Sequence, residues 1–191
     1  MKNLISLFRT DSISKWAKSK EKVWRDAEVH YEKSIKDLKE NQNHLVYLCS
    51  PLRPTKQKLA QDHISDAISA ASQILGAEYK GKKISIWIPH VHLFSIYNEI
   101  VYPESRGRAI KFNNYLLEKY FQTLLVVGKT ISGGMETEIE LAKKSGVKVV
   151  ELRKFRKELE NLPDLKKAEA SCRKMISLHN QIHGRQFLIK Q

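Results

Sequence analysis

The sequence has little cysteine and no long apolar segment, which argues against a disulfide-stabilised protein and against a membrane-spanning one. Its two cysteines, Cys49 and Cys172, lie far apart and outside any C-x-x-C pair, which argues against a disulfide scaffold. No apolar run reaches membrane length, and the apolar stretch 4–8 is too short for a signal peptide. We therefore expect a protein of the reducing cytoplasm that has no membrane attachment.

The sequence also offers little for a metal site. His90 and His92 are two residues apart, but zinc needs a third ligand with suitable geometry, and neither cysteine is placed to supply one. Two other roles suit His90 equally well, that of a polar residue lining the mouth of a pocket and that of an ordinary loop histidine. We therefore expect no bound metal and no cofactor.

Acidic residues are outnumbered by basic ones. The chain has 34 Lys and Arg against 21 Asp and Glu, for a formal net charge of +13, and the tail 153–191 is its most basic part for its length. Basic surface attracts nucleotide phosphates or nucleic acid. Here the bases are interleaved with acids, as on solvated helix faces, and no DNA- or RNA-binding motif, repeat or low-complexity linker is present. Nucleic-acid binding through the basic termini therefore stands as an alternative.

Apolar strands alternate with helical segments through the middle of the chain. The predicted strands are 44–49, 83–88, 124–127 and 147–152, the predicted helices are 56–75, 107–121 and one from Gly134, and 89–105 is predicted as a long loop. This alternation predicts βαβ units, and hence an α/β domain whose mainly parallel sheet of four to five strands has helices on both faces.

Three parts of the chain follow from this pattern. They are an N-terminal helical extension (1–43) with a helix over about 12–40, an α/β domain (44–152), and a basic C-terminal helical extension (153–191) with a helix over 162–182. In such a sheet Trp87 alternates with Ile86 and Ile88, so we expect it on the opposite face from them.

The junction that follows the third predicted strand indicates a ligand site. An apolar run there ends in a Ser-Gly-Gly turn at 132–134 and passes directly into a helical pattern. In a parallel sheet, this is where a helix offers unpaired N–H groups and glycines let a substrate approach the backbone. Helical spacing places Met135 toward the sheet. Glu136 and Glu140 share one face, and Glu138 lies about 200° of helical rotation from each.

Several segments resemble the nucleoside 2-deoxyribosyltransferase-like superfamily. They are "VYLCSP", which contains Tyr47, the Pro89-His90 pair after the second strand, "LLVVG", and "SGGMETEIELAKKSGVKVV". The likeness covers about residues 44–152 and is strongest to an uncharacterised bacterial and phage branch. It implies a flavodoxin-like sheet and cleavage of N-glycosidic bonds, with Glu138 as the carboxylate nucleophile and Tyr47 as the active-site tyrosine.

Chemistry is consistent with those two roles. Breaking an N-glycosidic bond builds positive charge on the sugar, which a carboxylate can stabilise or trap covalently, and a tyrosine hydroxyl can orient that carboxylate. The sequence departs from the superfamily at two Asp positions, which fall on Ser132 and at about Tyr115, beside Asn113 and Asn114. Three possibilities therefore stay open. The protein could be a hydrolase in which another group assists departure of the base, it could act on a different substrate, or it could be a non-catalytic nucleotide-binding protein.

A second register of the same turn is similar to the phosphoribohydrolases that release cytokinin bases. Their "P-G-G-x-G-T-x-x-E" would align with Gly133, Gly134, Thr137 and Glu140, but the third glycine becomes Glu136. A charged side chain at that position conflicts with close approach of the backbone to phosphate, so we rank this register lower. Both registers predict attack on a ribosyl–base bond.

The remaining candidates lie at other strand ends. The loop after the first strand carries Ser50 and Arg53, and an arginine there suits a phosphate, although it could equally be a solvated surface residue. The predicted site thus contains catalytic Glu138 and Tyr47 and substrate-binding Ser50, Arg53, Pro89, His90, Ser132, Gly133, Gly134 and Met135. We expect a nucleoside or nucleotide substrate and a homo-oligomer.

Overall fold

The computed structural model describes residues 4–51, 60–93, 97, 104–128, 130–164, 166–170, 172–174 and 176–177. Side chains of the first helix are described from Lys20 onward. Arg53 lies outside these ranges, so its predicted contact with phosphate stays a prediction.

Helices and strands alternate along the chain. Their order is α1 (Leu4–Glu40), β1 (His44–Cys49), α2 (Ala60–Ser72), β2 (Glu78–Tyr79), β3 (Lys82–Trp87), α3 (Pro89–His92), α4 (Ser105–Tyr120), β4 (Thr123–Val126), α5 (Gly133–Lys144), β5 (Lys148–Glu151) and α6 (Leu152–Arg156). The protein is therefore α/β. Beyond α6, residues 166–170, 172–174 and 176–177 are helical, inside the range predicted for the C-terminal helix.

The five strands form one mixed sheet in the order β2-β3-β1-β4-β5. Strands β3, β1, β4 and β5 are parallel, whereas β2 is antiparallel to β3. The predicted sheet lacked this antiparallel pair. Lys80 and Gly81 join β2 to β3 with φ values of 51° and 72°, and positive φ at both loop residues is the geometry of a type I′ hairpin turn. The missing signal is an Asn-Gly or Asp-Gly pair, which Lys-Gly does not provide.

Two further short elements differ from the sequence prediction. Residues 89–92, predicted as the start of a loop, form the single helical turn α3. Pro89 favours this turn because it is the first residue of the helix, where the N–H that proline lacks would have no partner within the helix. The five-residue helix α6 begins directly after β5, where the prediction continued the strand to residue 152.

Helices cover both faces of the sheet. Leu45, Tyr47 and Cys49 of β1 join the apolar core on the face of α1, α4 and α5. Val46 and Leu48, which alternate with them, pack on the other face against α6 and α2 respectively. Trp87 belongs to the first face and Ile86 and Ile88 to the second, which confirms the alternation predicted for β3.

The order of the strands creates one favoured place for a ligand. The chain runs from β1 to β3 on one side and then crosses to β4 on the other side of β1. Ligands of open α/β sheets bind at such a topological switch point, beyond the carboxyl ends of the strands. Here that place lies past the ends of β1 and β4.

A cluster of charged and phenolic groups fastens α1 to α4. Arg108 of α4 donates to both carboxylate oxygens of Glu28, through Nε at 2.6 Å and Nη2 at 2.7 Å, and also pairs with Glu21. The Tyr97 hydroxyl donates to the same Glu28. Burial by itself would raise the pKa of Glu28, but the hydrogen bonds from Arg108 and Tyr97 hold that pKa below its usual value. Trp24 of α1 is buried in the core beneath this cluster.

We expect Arg108→Met to destabilise the protein by about 1–3 kcal/mol, because the change leaves partly buried Glu28 without its charged partner. Urea unfolding would measure the free-energy difference. Lys36→Met is the matched control, since Lys36 pairs only with exposed Glu40 at 3.7 Å among the described residues, and it should change stability by less than about 0.5 kcal/mol. Equal effects of the two variants would show that the cluster does not fasten α1.

Candidate functional site

A cavity of about 470 Å³ opens beyond the carboxyl ends of β1, β3 and β4. Its lining comes from the loop after β1, from α3 with Leu93 and Tyr97 after it, from one face of α4, and from the first turns of α5. The lining residues are Ser50, Pro89, His90, Leu93, Tyr97, Arg106, Ala109, Ile110, Asn113, Asn114, Ser132, Gly133, Gly134, Met135, Thr137 and Glu138.

The structure brings together the predicted site residues that it describes. Ser50, Pro89, His90, the 132–135 turn and Glu138 line the cavity. Tyr47 does not reach the cavity surface, because it is fully buried in β1. Its hydroxyl donates a hydrogen bond of 2.7 Å to Oε1 of Glu138. The catalytic and binding roles of these residues stay predictions, whereas their convergence at this edge of the sheet is observed.

Glu138 lies in an environment that is unusual for a helix carboxylate. Burial raises its pKa, and hydrogen bonds with the Cys49 thiol and the Tyr47 hydroxyl act in the opposite direction, leaving the pKa above its ordinary value. Burial and the neighbouring Glu138 raise the pKa of Tyr47 well above 10, so the phenol stays protonated and its hydroxyl is the donor of the hydrogen bond to Glu138. A half-buried carboxylate that is oriented by a neutral phenol is the arrangement that a nucleophile or charge stabiliser needs.

The other acids of α5 face away from the cavity. Glu136 and Glu140 are exposed, while Met135 and Ala142 are buried on the sheet side. The helical phase predicted from the sequence is therefore right, and Glu138 alone of the three acids faces the cavity. Glu140 thus provides an internal comparison for Glu138 on the same helix.

The chain matches the family model of DUF7768, a domain of unknown function, over residues 44–152. It belongs to this family. No curated protein matches the chain. No solved structure matches it. The region matched to DUF7768 contains all the strands of the described sheet and all the cavity-lining residues, whereas α1, which fastens onto α4, precedes it.

The turn at 132–134, where α5 begins, determines how accessible the first backbone N–H groups of this helix are. Ser132 is the N-cap residue, and its hydroxyl accepts a bond of 3.4 Å from the N–H of Met135. A Cβ at Gly133 would meet no heavy atom within 4 Å, and at Gly134 it would only approach Ser132 Oγ at 4.0 Å. Internal packing therefore does not require these glycines. Their missing side chains leave the helix N-terminus open to an anionic or polar ligand group.

The loop after β1 presents a hydroxyl without a partner. Nε2 of His90 donates to the carbonyl oxygen of Ser50 at 2.7 Å, which holds this loop against α3. Oγ of Ser50 is buried and has no hydrogen-bond partner within the described part of the chain. A buried hydroxyl left unpaired costs about 1–3 kcal/mol. That cost favours a role in binding a polar group of a ligand over a purely structural role.

One wall of the cavity is formed by α4, and no residue of this helix was among the predicted site residues. Arg106, Ala109, Ile110, Asn113 and Asn114 of α4 all line it. Their spacing of i, i+3, i+4, i+7 and i+8 is that of a single helix face. The signal was present, but a mixture of charged, apolar and amide residues does not reveal whether a face meets solvent or a cavity. Cys49 was also missed as a partner of Glu138, since it reads as a small core residue.

Among the residues that the structure describes, no group of three or more His, Cys, Asp or Glu is placed to hold a metal ion. Within the same ranges, no helix combines the length and apolar character needed to cross a bilayer.

Proposed function

We propose that this protein cleaves the N-glycosidic bond of a nucleoside or nucleotide, by hydrolysis or by transfer of the sugar. The observation that carries the proposal is the Glu138 carboxylate, which faces the cavity and accepts a 2.7 Å hydrogen bond from fully buried Tyr47. The same two residues match the nucleophile and the active-site tyrosine of the nucleoside 2-deoxyribosyltransferase-like superfamily. The proposal therefore rests on geometry and on a motif that agree.

The order of the strands supports the same relationship. Without the antiparallel β2, the parallel strands lie in the order β3-β1-β4-β5. This corresponds to the first four strands of the flavodoxin-like order 2-1-3-4-5, in which ligands bind at the switch point next to the first strand. We propose that the domain is a flavodoxin-like sheet with an added hairpin at one edge.

The chemistry assigns a task to each group. When the bond from the anomeric carbon to the base nitrogen breaks, its electron pair leaves with the base and the sugar becomes cationic. Ionised Glu138 either bonds to the anomeric carbon or stabilises the cation until water or an acceptor base adds. Tyr47 fixes the direction of the carboxylate. In hydrolysis, water supplies the hydroxyl to the sugar and the proton to the base.

The cavity has the dimensions and polarity for such a substrate. Its volume of about 470 Å³ lies within the ~300–1,000 Å³ range of small-molecule sites. Apolar side chains such as Ile110 and Met135 can contact a planar base, while polar groups at 132–134 and Ser50 can contact the sugar. Arg106, in the first turn of α4, adds a positive charge that suits a nucleotide phosphate.

Incubation with a panel of nucleosides and nucleoside 5′-monophosphates, followed by chromatography for released base, tests the proposal. We expect free base from at least one member of the panel. A second incubation with an added acceptor base separates transfer from hydrolysis, because only transfer yields a new nucleoside. Intact substrates throughout the panel would contradict catalysis.

Nucleic-acid binding is the second candidate, because the chain has a net charge of +13 and Arg153, Lys154 and Lys157 after β5 are exposed. We expect long DNA or RNA to bind no more tightly than a mononucleotide, since acids such as Glu158 and Glu160 are interleaved with these bases. A gel-shift assay with a salt titration measures this. Tight binding to a polymer that falls steeply with salt would favour the second candidate, because counterion release produces that dependence.

Two further expectations concern the cellular location of the protein and its oligomeric state. We propose that it acts in the cytoplasm and self-associates. Light scattering coupled to size-exclusion chromatography would measure its mass in solution, and a monomeric mass at the working concentration would contradict self-association.

A further inference from the structure

Asn113 is a buried amide in the α4 wall of the cavity. Its Oδ1 accepts a hydrogen bond of 3.1 Å from Nε1 of Trp87. An indole N–H is only a donor, so it must face the oxygen of the amide and not the nitrogen. The orientation of Asn113 is therefore determined by its partner, with Nδ2 turned away from Trp87.

Trp87 is itself held firmly at the end of β3. It is buried in the core and stacks on the ring of His92 at 4.3 Å between centroids, with 15° between the ring planes. The ring of Tyr31 meets Trp87 edge-on at 5.2 Å, and the Tyr31 hydroxyl donates to the carbonyl oxygen of His92 at 2.8 Å. Because α1, α3 and β3 all contribute to this cluster, the indole cannot turn away without disrupting several contacts.

The free side of the Asn113 amide is a hydrogen-bond donor. No acceptor among the described residues takes a hydrogen bond from Nδ2, and Asn113 lines the cavity. A fixed donor with no partner in the protein is the kind of group that gives a cavity its specificity, because a ligand must supply the acceptor. The neighbouring Asn114 also lines the cavity, but no contact with Trp87 fixes its amide.

We propose that Asn113, oriented by Trp87, recognises a carbonyl oxygen of the base and directs the site toward 6-oxopurine or 4-oxopyrimidine nucleosides. This inference rests on the proposed function, since it concerns the substrate of the same cavity. A carbonyl oxygen accepts the Nδ2 hydrogen. An exocyclic amino group in the place of that carbonyl is itself a hydrogen-bond donor. It cannot accept from Nδ2 of Asn113, so neither the amino group nor Nδ2 has a partner once the ligand covers them.

Binding measured without turnover tests the inference. Glu138→Gln protein is titrated calorimetrically with two pairs of nucleosides that differ in one group, inosine against adenosine and uridine against cytidine. We expect the oxo member of at least one pair to bind about 10-fold more tightly or better, the usual effect of leaving a buried polar group unpaired. In Asn113→Asp, a carboxylate accepts from Trp87 and also offers an acceptor to the ligand, so the preference should shrink or reverse.

Asn114→Asp is the matched control, because it adds the same charge to the next lining residue without changing the partner of Trp87. It should keep the oxo preference. If Asn113→Asp fails to fold by circular dichroism, Trp87→Phe serves instead, since loss of the indole donor frees the amide to rotate and should abolish the preference.

Each outcome has a definite meaning. Binding without preference, or equal effects of Asn113→Asp and Asn114→Asp, would overturn the role of Asn113 and leave the proposed function standing. Failure of every nucleoside and of its 5′-monophosphate to bind would overturn both. A preference for the oxo member that Asn113→Asp or Trp87→Phe removes, and that Asn114→Asp retains, supports the inference.

Discussion

Replacement of Glu138 by Gln is expected to reduce base release by at least about 1,000-fold while the protein remains folded. Gln has nearly the same volume and keeps an oxygen that can accept from Tyr47, so packing around β1 should change little. It cannot become an anion, however, and therefore cannot bond to the anomeric carbon or neutralise the sugar cation. Released base would be quantified by chromatography, and the fold checked by circular dichroism and thermal unfolding.

Glu140→Gln is the control for this substitution. Glu140 lies two residues further along α5 and is exposed, so the same loss of charge at that position should leave activity near the wild-type level. If the two variants retained equal activity, Glu138 would have no place in the reaction. The comparison also removes any general effect of one charge fewer on this basic protein.

Tyr47→Phe is expected to lower activity about 10- to 100-fold and to move the acid limb of the pH profile to higher pH. Burial raises the pKa of Glu138, and the hydrogen bonds from Cys49 and Tyr47 partly offset that rise. Without the Tyr47 hydroxyl, the pKa of Glu138 rises further. Because only ionised Glu138 can act, activity falls as pH falls through that pKa, and the fall then begins at a higher pH.

Measurement of kcat/KM against pH for both proteins checks this shift. Tyr120→Phe is a suitable control, since Tyr120 is also buried and its hydroxyl donates to a carboxylate, that of Glu32, at 2.7 Å. Neither Tyr120 nor Glu32 lines the cavity. Tyr120→Phe should leave the pH profile unchanged. An acid limb that stays in place in Tyr47→Phe would show that the phenol does not act through Glu138.

Local patterns were sufficient to predict the part of the fold that positions Glu138. The apolar strands 44–49 and 124–127 and the period of α5 encode burial directly, so the sheet-facing side of Met135 and the separate direction of Glu138 could be predicted. Strand β2 could not, because two residues carry no periodicity and its turn depends on positive φ at Lys80 and Gly81.

The arrangement of the α4 wall of the cavity could not be predicted for a different reason. Asn113 becomes an oriented donor only because Trp87, 26 residues earlier at the end of β3, contacts it on the same face of the sheet. Tyr97 and Arg108 similarly depend on Glu28 of α1. Such side chains acquire their roles from tertiary contacts between distant segments, and no spacing within one helix specifies them.

The most direct test of the central claim is a single-turnover experiment. Wild-type protein in excess is mixed with each nucleoside and nucleotide in turn, and released base is measured over time, so that even very slow cleavage is detected. We predict complete release of base from at least one substrate by the wild-type protein, and release at least about 1,000-fold slower by Glu138→Gln. Substrates that all remain intact with excess wild-type protein, or equal release by the two proteins, would contradict the assignment of this cavity to N-glycosidic bond cleavage.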